Sequence, residues 1–430
     1  MASVYENMTT DQLDAEIAKL EADVEELRAK GLKLDMARGK PSPEQVSLSR
    51  PMLDVLSSAS DLLDEGVDAA NYGCPDGIPS ARRLMAELIG AKPENVILGG
   101  SSSLNIMYDV VMSGWNYGVA GCEPQAKQAE KAPLKFLCPS PGYDRHFAVS
   151  AKVGFENVPV RMLADGPDMD EVCRLVENDA TVKGIWCVPK YSNPTGITFS
   201  DEVVRRFAAL KPAAPDFRIF WDNAYIVHEL TDEPDQLLEI FGAVAEAGND
   251  NLVYEFVSTS KVTFPGSGIA AVAASDADIA NLRKVFGIER VCADKLMQLA
   301  HVRWLKDADG VRAHMTAQAK VLRPRFDLVE QKLTEGLGEL GCASWSHPKG
   351  GYFVSFEGPA GSAKKIVALA AELGVKMTGA GATWPYGNDP DDTNIRIAPS
   401  YPTLEELGGA LDVFCACVRL VSARLAREAR

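Results

Sequence analysis

Apolar positions recur along the chain in two rhythms, and their alternation predicts the fold. From Thr9, which stands at capping-box distance from Gln12, the residues Leu13, Ile17, Leu20, Val24 and Leu27 follow at steps of four and three. That spacing puts them on one face of a helix closed by Gly31. Under three heptads long, the helix is expected to pack on the body of the protein or on a partner subunit. Helical rhythm returns in Ser80 to Ile89, Asp276 to Trp304, Thr316 to Leu337 and Thr403 to Arg424. Between these lie short apolar runs rich in β-branched and aromatic residues: Asn95 to Leu98, Leu134 to Cys138, Gly184 to Val188, the run from Arg218, and Asn251 to Val257. They read as buried strands. Strand and helix alternate between roughly residues 70 and 275, the pattern of an α/β protein whose mainly parallel sheet has helices on both faces. Residues 116–132, with Gly118, Gly121 and Pro124, read as a surface insertion. Beyond Asp276 the chain alternates less, and Lys349 to Phe353 and Val375 to Gly381 read as strands and turns of a smaller α+β domain.

Composition narrows the class. A chain of 430 residues exceeds one compact core, and two domains are expected. The expected division is 1–60 as an N-terminal helix and arm belonging to the small domain, 61–305 as the large domain, and 306–430 as the C-terminal small domain. The formal net charge of −16 argues against nucleic acid and anionic membrane as partners, which select for basic patches. Nine cysteines without a CxxC pair indicate a reducing compartment, and the Cys415-x-Cys417 pair lies in an apolar segment that reads as core. No basic region precedes an apolar run at the start, and no uncharged stretch is long enough to span a bilayer, so a cytoplasmic location is expected.

The candidate chemistry gathers at strand ends. Ser258-Thr259-Ser260-Lys261 follows the strand from Asn251, which sets the lysine stem in the core and its amine towards a cleft. Burial lowers an ammonium pKa and frees a neutral amine for Schiff-base chemistry; a lysine in this place is also a common solvated charge. Asn193 follows the strand Gly184 to Val188, Asp222 and Tyr225 end the run from Arg218, and Arg396 stands alone among apolar residues in Asn394 to Ala398. Gly99-Gly100-Ser101-Ser102-Ser103 passes from strand to helix start. There, free backbone N–H groups and the helix dipole favour an anion, though three serines serve equally as caps.

Asn193, Asp222, Tyr225, Lys261 and Arg396 stand in the order of a known family, with 29 residues from Asn193 to Asp222 and 39 from Asp222 to Lys261. The chain resembles the aspartate aminotransferase superfamily, fold-type I enzymes that use pyridoxal 5′-phosphate (PLP). The resemblance implies a large domain with a mainly parallel seven-stranded sheet between helices, and a smaller α+β domain. It implies that Lys261 forms the Schiff base and then moves the substrate proton, and that Asp222 keeps the ring nitrogen protonated. Asn193 and Tyr225 would donate to the ring oxygen, and Tyr143 would stack on the ring. Ser101, Ser102, Ser103, Ser258 and Ser260 would hold the phosphate. Tyr72 would reach the phosphate of the neighbouring subunit in a homodimer, while Arg396, with Gly39 and Asn193, would bind the substrate carboxylate. Arg145 and His146 follow Tyr143 closely enough for either to face the substrate.

One feature departs from the family pattern. The arginine usual about eight residues after the lysine is missing: Gly268-Ile269 stand there, and no Arg or Lys occurs between Lys261 and Arg283. With Gly-Gly-Ser-Ser-Ser-Leu-Asn and the long insertion, this resembles the divergent type Ic aspartate aminotransferases. The implied activity is ping-pong transfer of an amino group from an L-amino acid, aspartate by resemblance alone, to a 2-oxo acid such as 2-oxoglutarate. A PLP-dependent lyase or decarboxylase on the same fold is the enzymatic alternative, and a non-catalytic aminotransferase-like sensor is the other. A dicarboxylate substrate needs a second cation, for which Arg38, Arg145, Arg290 and Lys190 are all candidates.

Overall fold

A computed structural model describes residues 3–430. The strand-like runs assemble into one sheet: β1 (Val96–Leu98), β2 (Lys135–Ser140), β3 (Glu156–Leu163), β4 (Gly166–Pro167), β5 (Val182–Cys187), β6 (Arg218–Asp222), β7 (Val253–Ser258) and β8 (Ala270–Ala274), in the spatial order β1-β8-β7-β6-β5-β2-β3-β4. From β7 to β3 the neighbours run parallel, and β8 lies antiparallel to both β7 and β1. The seven expected strands are present. The eighth, β4, is a two-residue return on the edge of β3, too short to leave a hydrophobic pattern. Strands β5 to β8 are buried at every residue, which explains why they read as continuous apolar runs without alternation. Leu137, Ile185 and Trp221 face one helical layer, and Phe136, Trp186, Phe220 and Phe256 the other.

Six helices bear on the site: α1 (Thr10–Ala29), α2 (Ser103–Tyr117), α3 (Asp144–Val153), α4 (Asp276–Glu289), α5 (Ala308–Leu337) and α6 (Leu404–Glu428). The capping box at Thr9 forms, and α1 packs on α6, burying Leu13, Leu20 and Val24 in the core that holds Phe414. Its exposed ion pairs with α6, Asp14–Arg427 and Glu21–Arg424, add little beside that burial. After α1 the arm Leu34–Asp35 pairs with Val375–Lys376, so the N-terminal arm and the C-terminal region share a core. Helix α5 sends Ala308, Val311 and Met315 into a core beneath the large sheet and Leu322, Val329 and Leu333 into the core that holds Phe414, so one helix contributes to both.

Two stretches show detail that the apolar pattern leaves open. Lys349 to Phe353, from the part read as strands and turns, is the turn leading into β9 (Val354–Glu357), which pairs with β10 (Asn394–Ile397). Gly350 and Gly351 press on Tyr191 so closely that a Cβ at either would collide with it, and Gly351 has φ +83°. The insertion at 116–132 is tied to the body: its short helix Gln125–Ala129 carries a buried Gln125, and Gln128 Nε2 donates to Asp216 Oδ2 at 3.0 Å. Cys415 and Cys417 are buried in the core, as the apolar pattern indicates. No helix among the described residues is long and apolar enough to cross a membrane.

Candidate active site

Parallel strands share a direction, so the residues that follow β1, β2, β5, β6 and β7 all emerge at one edge of the sheet, where α/β proteins bind ligands. Asp222 is the last residue of β6 and is buried. Its Oδ2 lies 2.9 Å from His146 Nε2, and the His146 ring stacks on Trp186 at 4.5 Å. The other oxygen, Oδ1, is buried without any hydrogen-bond partner. Lys261, three residues beyond β7, brings its amine to 4.9 Å from the centroid of the buried Tyr225 ring. Burial lowers the Lys261 pKa and nearby Arg396 adds to that, while Asp222 opposes it. Burial also lifts the Tyr225 phenol well above its ordinary range, and raises that of Tyr143 to about 12. The Tyr143 ring stands edge-on to His146, 4.8 Å between centroids.

Arg396 reaches this edge from β10. Its Nη1 donates to Asp144 Oδ1 at 3.1 Å and to Asn193 Oδ1 at 3.2 Å, and its guanidinium lies 4.9 Å from the Phe353 ring centroid. A Cβ at Gly39 would overlap that same ring, so only glycine lets the backbone of the N-terminal arm approach here.

The serine segments meet on another side. Ser258 Oγ and Ser260 Oγ are 2.9 Å apart. Helix α2 begins at Ser103, and the Ser102 hydroxyl bonds Asn105 Oδ1 at 2.9 Å instead of capping the helix. Gly268 is wedged between the two: a Cβ there would stand 2.8 Å from the Ser101 carbonyl oxygen and 3.0 Å from the Ser260 nitrogen. No side chain fits at Gly268, and Ile269 beside it is apolar and buried, so neither residue where the sequence lacks its arginine carries a charge. Tyr72 is not drawn into this cluster within the chain; it is 81% exposed.

The structure separates the remaining candidates. His146 is buried behind Asp222, and the neighbouring Arg145 is exposed. Lys190 donates to the Ile226 carbonyl at 3.0 Å and to Glu229 Oε1 at 2.6 Å, facing a separate cleft of about 850 Å³ floored by Asn223 and Glu255. Asp144, Phe353 and Thr378, which donates to the Ala37 carbonyl and lies 3.4 Å from Arg396 Nη2, were not flagged by any motif.

The Aspartate amino-transferase family model matches residues 8–429. The chain belongs to that family. A protein of Mycolicibacterium smegmatis carrying the general name aminotransferase is 45% identical over 97% of this chain and 98% of its own length. An aspartate aminotransferase of Corynebacterium glutamicum is 42% identical, with 98% of each chain covered. The crystal structure of an aspartate transaminase from Corynebacterium glutamicum superposes with a TM-score of 0.95 at 41% identity, covering 99% of both chains. An α-aminoadipate aminotransferase of Thermus thermophilus, at 21% identity and a TM-score of 0.72 over 92% of this chain and 95% of its own, shares the fold. This aminotransferase is therefore a fold-type I enzyme dependent on PLP.

Proposed function

We propose that this aminotransferase takes the amino group of L-aspartate and passes it to a 2-oxo acid, 2-oxoglutarate, through PLP linked to Lys261. The observation that carries the residue assignment is the partnerless Oδ1 of the buried Asp222, whose charge acts on the buried amine of Lys261. A buried carboxylate oxygen without a donor is costly, and a protonated ring nitrogen is the donor it fits. The preference for aspartate is supported by the name of the Corynebacterium glutamicum relative.

When bound, PLP supplies an aldehyde that links to amines and a ring that takes up the electrons of the broken Cα–H bond. Asp222 holds the proton at the ring nitrogen, and His146 fixes the carboxylate from behind. Because Asn193 Oδ1 already accepts from Arg396, its Nδ2 is left to donate to the ring oxygen, together with the Tyr225 hydroxyl. Lys261, made less basic by burial, accepts the Cα proton and returns it. Ser101, Ser102 and Ser103 at the start of α2, with Ser258 and Ser260, hold the phosphate, and Tyr143 covers the ring. Arg396 and Asn193 grip the substrate α-carboxylate beside the Gly39 backbone, orienting the Cα–H bond. With Lys190 turned away and Arg290 set against the backbone of Gly99, Arg38 and Arg145, each adjacent to a residue of the site and exposed, are the candidate cations left for a distal carboxylate.

The enzyme works as a homodimer. Lys295 Nζ ties the backbone at Asp68 and Tyr72 to the segment after α4, and around this junction Tyr72, Ile288, Val291 and Leu296 expose apolar side chains. Such a patch fits a second copy, with the Tyr72 phenol reaching the neighbouring phosphate. The cleft is formed between residues 61–305 and a body made of 1–60 and 306–430. All nine cysteines are free, in keeping with a cytoplasmic setting.

Absorbance of the purified protein during titration with L-aspartate, L-alanine and an aromatic amino acid, without 2-oxo acid, tests the reading. The visible cofactor band is expected to be lost in one turnover, most readily with aspartate. A band that persists in Lys261→Ala sinks the lysine assignment. A band that stays while pyruvate or ammonia accumulates points instead to a lyase.

A further inference from the structure

We propose that Arg290, from the end of α4, is the cation that faces the cofactor phosphate in this chain; the proposal rests on the cofactor assignment above. Of the two residues at the usual position after Lys261, Gly268 is packed between Ser101 and Ser260 with no room for a side chain, and Ile269 is apolar and buried. A phosphate dianion held only by hydroxyls and helix N–H groups would keep its charge unmatched. Arg290 approaches the same loop from the other side. A Cβ built on Gly99 would stand 2.7 Å from the guanidinium carbon of Arg290, so this glycine makes room for that group. Nε and Nη2 of Arg290 are buried and have no hydrogen-bond partner. Together with Gly100, Ser101 and Asn105, Arg290 lines an open recess of about 670 Å³. A guanidinium withdrawn from water with unspent donors calls for an anion, and its planar fork matches phosphate oxygens.

Two acidic residues compete for it. Asp109 and Glu289 line the recess, and Asp109 is pushed up to about 6 by burial and by Glu289 while Arg290 draws it down. Neither closes an ion pair with Arg290 among the described residues, and the Phe286 ring beneath the guanidinium, 4.5 Å from its carbon, cannot neutralise it.

The test compares two ligands that differ only in the phosphate. Wild type, Arg290→Gln and Arg290→Lys, as full-length chains stripped of cofactor, are titrated with PLP and with pyridoxal, and bound aldehyde is followed by absorbance. Arg290→Gln is expected to lose roughly 10- to 100-fold in affinity for PLP, the range for one charge-assisted contact, and to keep its affinity for pyridoxal. Arg290→Lys, which keeps the charge and loses the fork, should fall between. If Arg290→Gln does not fold, the ratio of the two affinities is read from Arg290→Lys. Equal losses for both ligands would mean that Arg290 only supports the loop, and unchanged PLP affinity would mean that it pairs elsewhere; either overturns the proposal. A wild-type chain that binds neither aldehyde would instead refute the cofactor assignment on Lys261.

Discussion

Replacing His228 by phenylalanine is expected to stabilise this protein, and to do so more at pH 5 than at pH 7.5. His228 is buried, and neither ring nitrogen has a hydrogen-bond partner. The Lys261 backbone lies beside the ring without closing a hydrogen bond of normal geometry. The ring packs edge-on against Tyr225 at 5.4 Å and Tyr352 at 5.7 Å, a setting that accepts a benzene ring. At pH 7.5 the imidazole is neutral folded and unfolded, so the gain is the removal of unsatisfied buried polar atoms, about 1–3 kcal/mol. Burial, with the charges of Lys261 and Lys190, lowers the imidazole pKa from 6.5 to about 3. Between those values the unfolded chain holds one more proton than the native state, so wild-type stability is full above pH 6.5 and drains away as pH falls towards 3. At pH 5, one and a half units below the ordinary value, about 1.4 kcal/mol per unit amounts to about 2 kcal/mol that wild type loses and the variant keeps. Urea midpoints of both chains stripped of cofactor at pH 7.5, 6 and 5 read the gap directly. A gap that does not widen on acidification, or a variant less stable than wild type at pH 7.5, would refute the reasoning.

Glu255→Gln should show the opposite slope. Burial raises the Glu255 pKa far above its ordinary 4.5, so the native state holds the extra proton and wild type loses stability as pH rises from 4.5. The variant is expected to gain on wild type as pH rises above 4.5, measured by the same midpoints. Asp222→Asn leaves the ring nitrogen without a countercharge, and kcat/KM should fall by roughly 10²- to 10³-fold at the scale of breaking a buried pair, as measured by single-turnover rates. Arg396→Lys removes the fork, and KM for aspartate is expected to rise by about tenfold or more in steady-state assays. Asp144→Asn frees Nη1 of Arg396 from an internal carboxylate, and a dicarboxylate inhibitor should bind several-fold more tightly in competition assays.

Much of the architecture was legible because strands buried on both faces write themselves as apolar runs, and helices with one covered face write themselves as stripes. The resemblance then named the residues at the strand ends. Contacts between segments far apart in sequence left no such trace. His146 is braced against Asp222 from the first turn of α3, and nothing near it in the sequence indicates whether it faces the ring or the substrate. Asp144 meets Arg396 across 252 positions, and the room that Gly99 leaves for Arg290 exists only once α4 has folded back along the sheet. At Lys349 to Phe353 the pattern does not say where strand begins: Gly350 and Gly351 lie against Tyr191, Phe353 lies beneath Arg396, and the ladder starts only at Val354.

Two arginines show what pattern alone can decide. Arg218 and Arg396 each stand among apolar residues in a strand, and the sequence treats them alike. Arg218 opens β6, so the parallel sheet places it at the edge opposite Asp222, where it bonds Asp278 at 2.7 and 3.0 Å and serves the fold. In a parallel sheet, position along the strand thus separates a structural charge from one available for chemistry. Arg396 lies outside that sheet, on β10 paired antiparallel with β9, where no such polarity rule applies. Its place at the site depends on the packing of β10 beside Asn193 and Asp144, and the orphaned Nε of its guanidinium is the physical sign that this arginine, unlike Arg218, has donors left for a substrate.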